Sequence, residues 1–277
     1  MLTPGQVREL LGTFGLAPHK ALGQNFVVDP NTVRKVVRDA GVQSGDLVVE
    51  VGPGLGSLTL ALADAGADVV AVEIDAGLVR ALEHVTTDRH GVRIVHADAL
   101  TVDFQRLTEG RPALLVSNLP YNVATPILMT ALRSRAFERL LVMVQREVGE
   151  RWTARVGEPL YGGVSVKVAA FARAEIAARV SRNAFYPVPN VDSVTVRLTP
   201  GTPPDVIAHL LPLVDAGFAQ RRKRLRNTLG AVGHGPAEVE TALESIGRDR
   251  GARAEELDLQ TWVAVCRALL PPGEVRS

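Results

Sequence analysis

An apolar, β-branched run, Leu47-Val48-Val49-Glu50-Val51, feeds directly into Gly52-Pro53-Gly54-Leu55-Gly56-Ser57, and a helical pattern over Leu58–Ala65 begins at once behind it. A strand, a glycine turn and a helix in immediate succession open a βαβ unit, which few architectures accommodate. Glycines in such a turn permit positive φ and let a ligand lie close to the backbone. The spacing narrows the ligand. A dinucleotide fingerprint reads G-x-G-x-x-G and aims a helix N-terminus at a pyrophosphate. Here the third glycine comes one position early and Pro53 fills the first gap.

Further short apolar runs follow at Val69–Glu73, Arg93–His96, Leu114–Asn118, Leu140–Val144, Val164–Ala170 and Val191–Leu198, with helical patterns such as Ala76–His84 between the early ones. Strands alternating with helices predict a mainly parallel sheet covered on both faces, an α/β doubly wound fold with seven strands. Before them, Pro30–Ala40 carries valines at helical spacing, with Asp29 placed to cap its start. Past the Pro/Gly cluster Pro200-Gly201-Thr202-Pro203-Pro204 only helical patterns remain, at Val206–Gly217, Ala237–Ile246 and Leu259–Leu269. A boundary is expected there, giving a sheet domain over 1–200 and a small all-α domain over 201–277.

Composition removes whole classes. The chain has 277 residues, 46% apolar and 22% charged, within the globular range. Cys266 is the single cysteine, so an internal disulfide and any four-cysteine zinc site are excluded. The six histidines are scattered, and no metal site is expected. No apolar run reaches the roughly 18 residues of a membrane span, and Met1–Leu10 has no signal pattern, so a cytoplasmic protein is expected. A net charge of +1 says little about partners, but Arg221-Arg222-Lys223-Arg224-Leu225-Arg226 gathers five cations in six positions. That run is either a solvated helix face or a local nucleic-acid contact.

The G-x-G-x-G form suits a nucleoside-type ligand without a pyrophosphate, such as S-adenosylmethionine, with Gly52 and Gly54 at the backbone approach. Glu73 follows Gly52 by 21 positions at the end of the second strand run, where a carboxylate can accept from both hydroxyls of a ribose. Asp98 ends the third run, placed to accept from an adenine amino group. The fourth ends in Asn118-Leu119-Pro120-Tyr121. Read alone this is a β-turn. At the fourth strand end behind such a glycine loop, it resembles the amino-methyltransferases that act on exocyclic nitrogens of bases. An adenine amino nitrogen is a poor nucleophile because its lone pair is delocalised into the ring. Two acceptors on its hydrogens, the Asn118 side-chain oxygen and the Leu119 carbonyl, would draw it toward tetrahedral geometry. Pro120 stiffens the turn, and Tyr121 offers a ring for stacking, worth about 1–3 kcal/mol per base. In Asn183-Ala184-Phe185-Tyr186-Pro187-Val188-Pro189, two prolines are expected to hold Phe185 exposed as a second stacking ring.

Taken with Leu22-Gly23-Gln24-Asn25-Phe26, Phe185–Ser193 and the basic run, these residues resemble the ribosomal RNA adenine dimethyltransferases over nearly the whole chain, most of all those of the small subunit. The resemblance implies a Rossmann-like, S-adenosylmethionine-dependent methyltransferase sheet with a small all-α C-terminal domain that binds rRNA. It implies dimethylation of N6 on two adjacent adenosines in a hairpin near the 3′ end of 16S rRNA, within the small subunit or its precursor, by a monomer. By carry-over, Asn25, Val27, Gly52, Glu73, Asp98 and Asn118 would contact the cofactor, and Arg221, Arg222 and Lys223 the RNA phosphates. Left open are methylation of large-subunit rRNA as in macrolide resistance, a noncatalytic assembly factor that keeps the pocket, and a nicotinamide-dependent oxidoreductase, which the glycine spacing disfavours.

Overall fold

A computed structural model describes residues 1–18, 24–220 and 222–271. In chain order, α1 (Pro4–Thr13), β1 (Phe26–Val27) and α2 (Pro30–Ala40) precede the glycine turn. The alternating core then runs β2 (Leu47–Val51), α3 (Ser57–Asp64), β3 (Asp68–Glu73), α4 (Ala76–Thr86), β4 (Val92–His96), α5 (Phe104–Thr108), β5 (Ala113–Asn118), α6 (Ala124–Ser134) and β6 (Phe137–Gln145). It is followed by α7 (Arg146–Thr153), α8 (Gly163–Phe171), β7 (Ala172–Val180), β8 (Phe185–Tyr186) and β9 (Ser193–Pro200). Four helices close the chain: α9 (Ile207–Phe218), α10 (Leu225–Thr228), α11 (Pro236–Ser245) and α12 (Leu259–Leu269).

Seven strands form one sheet in the order β4-β3-β2-β5-β6-β9-β7. β2 pairs in parallel with β3 on one side and β5 on the other, β5 in parallel with β6, and β6 antiparallel with β9. The order reverses between β2 and β5, so the crevice at their carboxyl ends is the topological switch point where open α/β sheets bind ligands. Every residue of β2 is buried, which requires cover on both faces and explains its near-continuous apolar sequence. On one face Val48, Val69, Leu114, Val116 and Met143 pack with α2 and α3 into a single cluster. Asp29 does cap α2, accepting from the backbone N–H groups of Asn31 and Thr32 and from the Thr32 hydroxyl, and these bonds hold its carboxyl below the ordinary range.

Two expectations are corrected. Val164–Ala170 is helix α8, not a strand. Its alternating valines mimic a strand, but the helix is apolar nearly all round because Val166, Val168, Ala170 and Phe171 are all buried. Its start is tied by the Ser165 hydroxyl, which accepts from Gly162 N–H at 3.1 Å and donates to the Arg151 carbonyl at 2.7 Å. The seventh strand is instead Ala172–Val180, an edge strand whose residues are mostly half-buried or exposed.

The chain forms two compact units, Met1–Gly149 with Glu175–Pro200, and Glu150–Ala174 with Gly201–Ser277. The passage at Pro200–Gly201 lies in the Pro/Gly cluster. The second unit also takes in α8, which packs on α9, and its core holds Tyr161, whose hydroxyl donates to the Leu257 carbonyl at 2.6 Å. Burial pushes that phenol far up, so it stays a donor. No helix among the described residues is long and apolar enough to cross a membrane.

Candidate active site

At the carboxyl ends of β2, β3, β4 and β5 lies a cavity of about 290 Å³. It brings together Asn25, Val27, Gly52, Gly54, Glu73, Asp98, Asn118, Leu119 and Pro120, which come from five separate stretches of sequence. Leu22 and Gly23, part of the expected N-terminal motif, lie outside the described residues. Glu50, Glu73 and Asp98 give the wall three carboxyl groups, and its described lining contains no Lys, Arg or His. A phosphate-bearing ligand would meet like charge there and no cationic side chain among the described residues. A nucleoside carrying positive charge meets the complementary field.

The turn is shaped by close approach. Gly52, Gly54 and Gly56 all have positive φ, at 68°, 58° and 90°. A Cβ on Gly54 would stand 2.8 Å from the Phe26 ring, and one on Gly52 would stand 3.3 Å from the Pro120 ring. The N-terminal segment, the glycine turn and the tetrad therefore pack directly on one another, and side chains would force them apart. Gly54 N–H also donates to Glu73 Oε2 at 3.1 Å, while the N–H groups of Ile74 and Asp75 converge on Oε1 at 2.9 and 3.0 Å. Burial raises the Glu73 carboxyl above its usual range, and the three bonds pull it back. The same bonds fix its orientation toward the cavity. Asp98 is half-buried, with Oδ1 accepting from Leu100 N–H at 2.9 Å.

Asn118 carries the most informative atom. Its Nδ2 donates to the Asn25 carbonyl at 3.0 Å, which fixes which way the amide faces. Its Oδ1 is buried and has no hydrogen-bond partner among the described residues. An unsatisfied buried acceptor costs about 1–3 kcal/mol, and in a cavity wall it marks a place where a ligand supplies the donor. Leu119 is buried, its N–H tied to the Met143 carbonyl at 3.0 Å, so the turn is anchored to β6.

The aromatic expectations fare differently. Tyr121 does not line the cavity; its hydroxyl shares a 2.7 Å hydrogen bond with Ser193 and its ring is half-buried. Burial raises its phenol, opposed by the Ser193 bond. Phe185 is 2% exposed and belongs to the core. The expectation of an exposed ring is corrected: β8 pairs antiparallel with β1, Val27 opposite Phe185 and Phe26 opposite Tyr186, and this draws Phe185 inward. The chain bends at Pro187, where the Tyr186–Pro187 bond is cis, and Tyr186 is half-buried while Val188 and Val191 are exposed. In the basic run, Arg221 lies outside the described residues. Arg222 and Lys223 are exposed in a turn rather than on a helix face, Arg224 is exposed and forms an antiparallel bridge with Arg253, and Arg226 is paired with Glu240. Sequence reasoning assigned no role to Glu50, Ser57 or Ile74, which also line the cavity. For Glu50 the available signal was a carboxyl inside an otherwise apolar central strand.

A Rossmann-like sheet with a glycine turn, a buried strand-end acid and an unpartnered amide oxygen at its switch-point cavity has the architecture of the S-adenosylmethionine-dependent methyltransferases. Residues 15–269 match the model of the ribosomal RNA adenine dimethylase family, and the chain belongs to that family. It is 46% identical over 274 residues to the ribosomal RNA small subunit methyltransferase A of Thermobifida fusca, covering 96% of this chain and 95% of that one. It is 48% identical over 276 residues to the protein of the same name from Streptomyces griseus, covering 96% and 94%. Among solved structures, the 23S rRNA methyltransferase ErmE superposes with a TM-score of 0.67 at 26% identity, covering 88% of this chain and 99% of that one. A dimethyladenosine transferase from Plasmodium falciparum superposes with a TM-score of 0.71 at 22% identity, covering 87% and 95%, and supports the fold.

Proposed function

We propose that this protein dimethylates N6 of two adjacent adenosines in a hairpin near the 3′ end of 16S rRNA, acting as a monomer in the cytoplasm on the small subunit or its precursor. The observation that carries the chemistry is Asn118 Oδ1, buried and unpartnered in a cavity whose described lining has three carboxyls and no cation. The small-subunit names of the bacterial relatives favour that target over large-subunit rRNA.

S-adenosylmethionine, when bound, supplies an electrophilic methyl group on positively charged sulfur. Glu73 would hold its ribose, Asp98 its adenine amino group, and Gly52, Gly54, Asn25 and Val27 would shape the backbone and side-chain walls. Asn118 borders both ligands. Its Oδ1 and the Leu119 carbonyl accept from the two hydrogens of the target amine, localising the nitrogen lone pair toward the methyl group. Pro120 holds the turn rigid, and Tyr121, its hydroxyl anchored on Ser193 and its side chain outside the described cavity lining, would offer a ring on which the flipped base stacks. Positioning and polarisation supply the rate, so no strong base is required.

The helical segment 201–277 would grip rRNA, with Arg221, Arg222 and Lys223 on phosphates. Replacing Arg222 and Lys223 with Ala is expected to weaken RNA binding and reduce the slope of log affinity against log salt by about 1.5, at about 0.7–0.9 per lost contact. An unchanged slope in filter binding would leave these two as solvated surface. The function itself is tested by mass spectrometry of both ribosomal RNAs after incubation with enzyme and cofactor. Two dimethyladenosines in small-subunit rRNA are expected. Modification of large-subunit rRNA alone, or of neither, would contradict the assignment.

A further inference from the structure

Glu50 has no part in the roles given above. It is 1% exposed and lies in the cavity wall, one residue before the end of β2. The Thr59 hydroxyl of α3 donates to its Oε2 at 2.6 Å, and among the described residues no donor engages Oε1. Glu73 beside it receives three backbone N–H groups and is built to carry charge. Glu50 is not so built. From β3 it faces Glu73; β5 has no ionisable residue; α3 offers the Thr59 hydroxyl and, at its far end, Asp64; Asp98 shares the cavity from the end of β4. No cation compensates any of these in the described lining. Burial, opposed by the Thr59 bond and reinforced by Glu73, pushes the Glu50 carboxyl up to about 8.

We propose that Glu50 distinguishes the charged methyl donor from the uncharged product of transfer: it holds a proton while the cavity contains neutral sulfur or no ligand, and releases it when a sulfonium is bound. The inference rests on the cavity being the S-adenosylmethionine site. A positive charge beside a buried carboxyl favours its ionisation. The Thr59 hydroxyl can donate to a carboxylate or accept from a carboxylic acid, so one bond serves both states. Methyl transfer breaks the carbon–sulfur bond with its electron pair left on sulfur, forms the nitrogen–carbon bond from the amine lone pair, and releases one amine proton to solvent. The cavity thereby loses one positive charge, and Glu50 takes up one proton from solvent. The acid that matched the donor is then neutral against a neutral thioether, which weakens the hold on product relative to donor.

Isothermal titration calorimetry in two buffers of different ionisation enthalpy tests this on the wild-type protein. At pH 7 an acid titrating near 8 is about 90% protonated. About 0.9 proton is therefore expected to be released per S-adenosylmethionine bound, and close to none per S-adenosylhomocysteine. The donor's Kd should fall about tenfold per pH unit up to about pH 8 and then level off, while the product's Kd stays nearly flat. Glu50→Gln keeps an acceptor for Thr59. It should abolish the difference in proton release and leave the product's Kd within about twofold, and titration of the ligands' own amino groups, common to both proteins, drops out of the comparison. Equal proton release for the two ligands in the wild type, or a difference that survives in Glu50→Gln, overturns the proposal. Should Glu50→Gln not fold, the wild-type comparison decides alone. Absence of any S-adenosylmethionine binding would instead overturn the assignment of the cavity.

Discussion

Asn118→Ala is expected to lower the single-turnover rate of methyl transfer by about 10²–10³-fold, the usual cost of removing a preorganised group that stabilises the transition state. The substitution deletes a buried acceptor in the cavity wall that has no partner among the described residues. It also deletes the Nδ2 donor to the Asn25 carbonyl, so cofactor affinity should fall too, and single-turnover measurement at saturating cofactor separates the two effects. Asn118→Asp keeps an oxygen in place while losing the tie to Asn25, and should retain more activity than Asn118→Ala. A wild-type rate for Asn118→Ala would mean that the amine is polarised elsewhere.

Phe185→Ala is expected to cost about 3–5 kcal/mol of stability, the range for emptying a buried aromatic position. Phe185 packs among Val27, Val33 and Met143 in the cluster beneath the sheet and holds β8 against β1. The loss would appear as a lower urea midpoint with an unchanged slope. Because β1 carries Phe26 and Val27 into the cavity wall, cofactor affinity should fall with it. Tyr186→Ala, at a half-buried position, should cost markedly less. A Phe185→Ala protein as stable as wild type but defective in RNA binding would restore the ring to the surface role that its sequence context suggested.

The contrast between these two residues shows what the sequence could reveal. The site acids and the tetrad were legible because each ends a strand in a parallel sheet, and strand ends of such sheets lie along one rim. β2, β3 and β5 were legible because burial on both faces demands continuous apolar runs. Phe185 was not, since its fate depends on pairing with Val27, more than 150 residues earlier, which no local pattern encodes. Val164–Ala170 misled for a related reason: a short apolar run has no period that separates a buried helix from a strand. The actual seventh strand, rich in alanine and arginine, owes its state to the edge of β9. Glu50 lay in plain view beside the glycine motif, but its single hydroxyl donor and the lack of a cation in the described lining are properties of three-dimensional surroundings.

The most direct test of the central claim is a crystal structure of the protein with S-adenosylhomocysteine and an RNA hairpin bearing the target adenosines. The account predicts the flipped adenine with N6 about 2.7–3.2 Å from Asn118 Oδ1 and within the same reach of the Leu119 carbonyl, and Oδ1 still turned away from Asn25. An adenine bound with N6 distant from Asn118 Oδ1, or an Oδ1 occupied wholly by the cofactor, would contradict it.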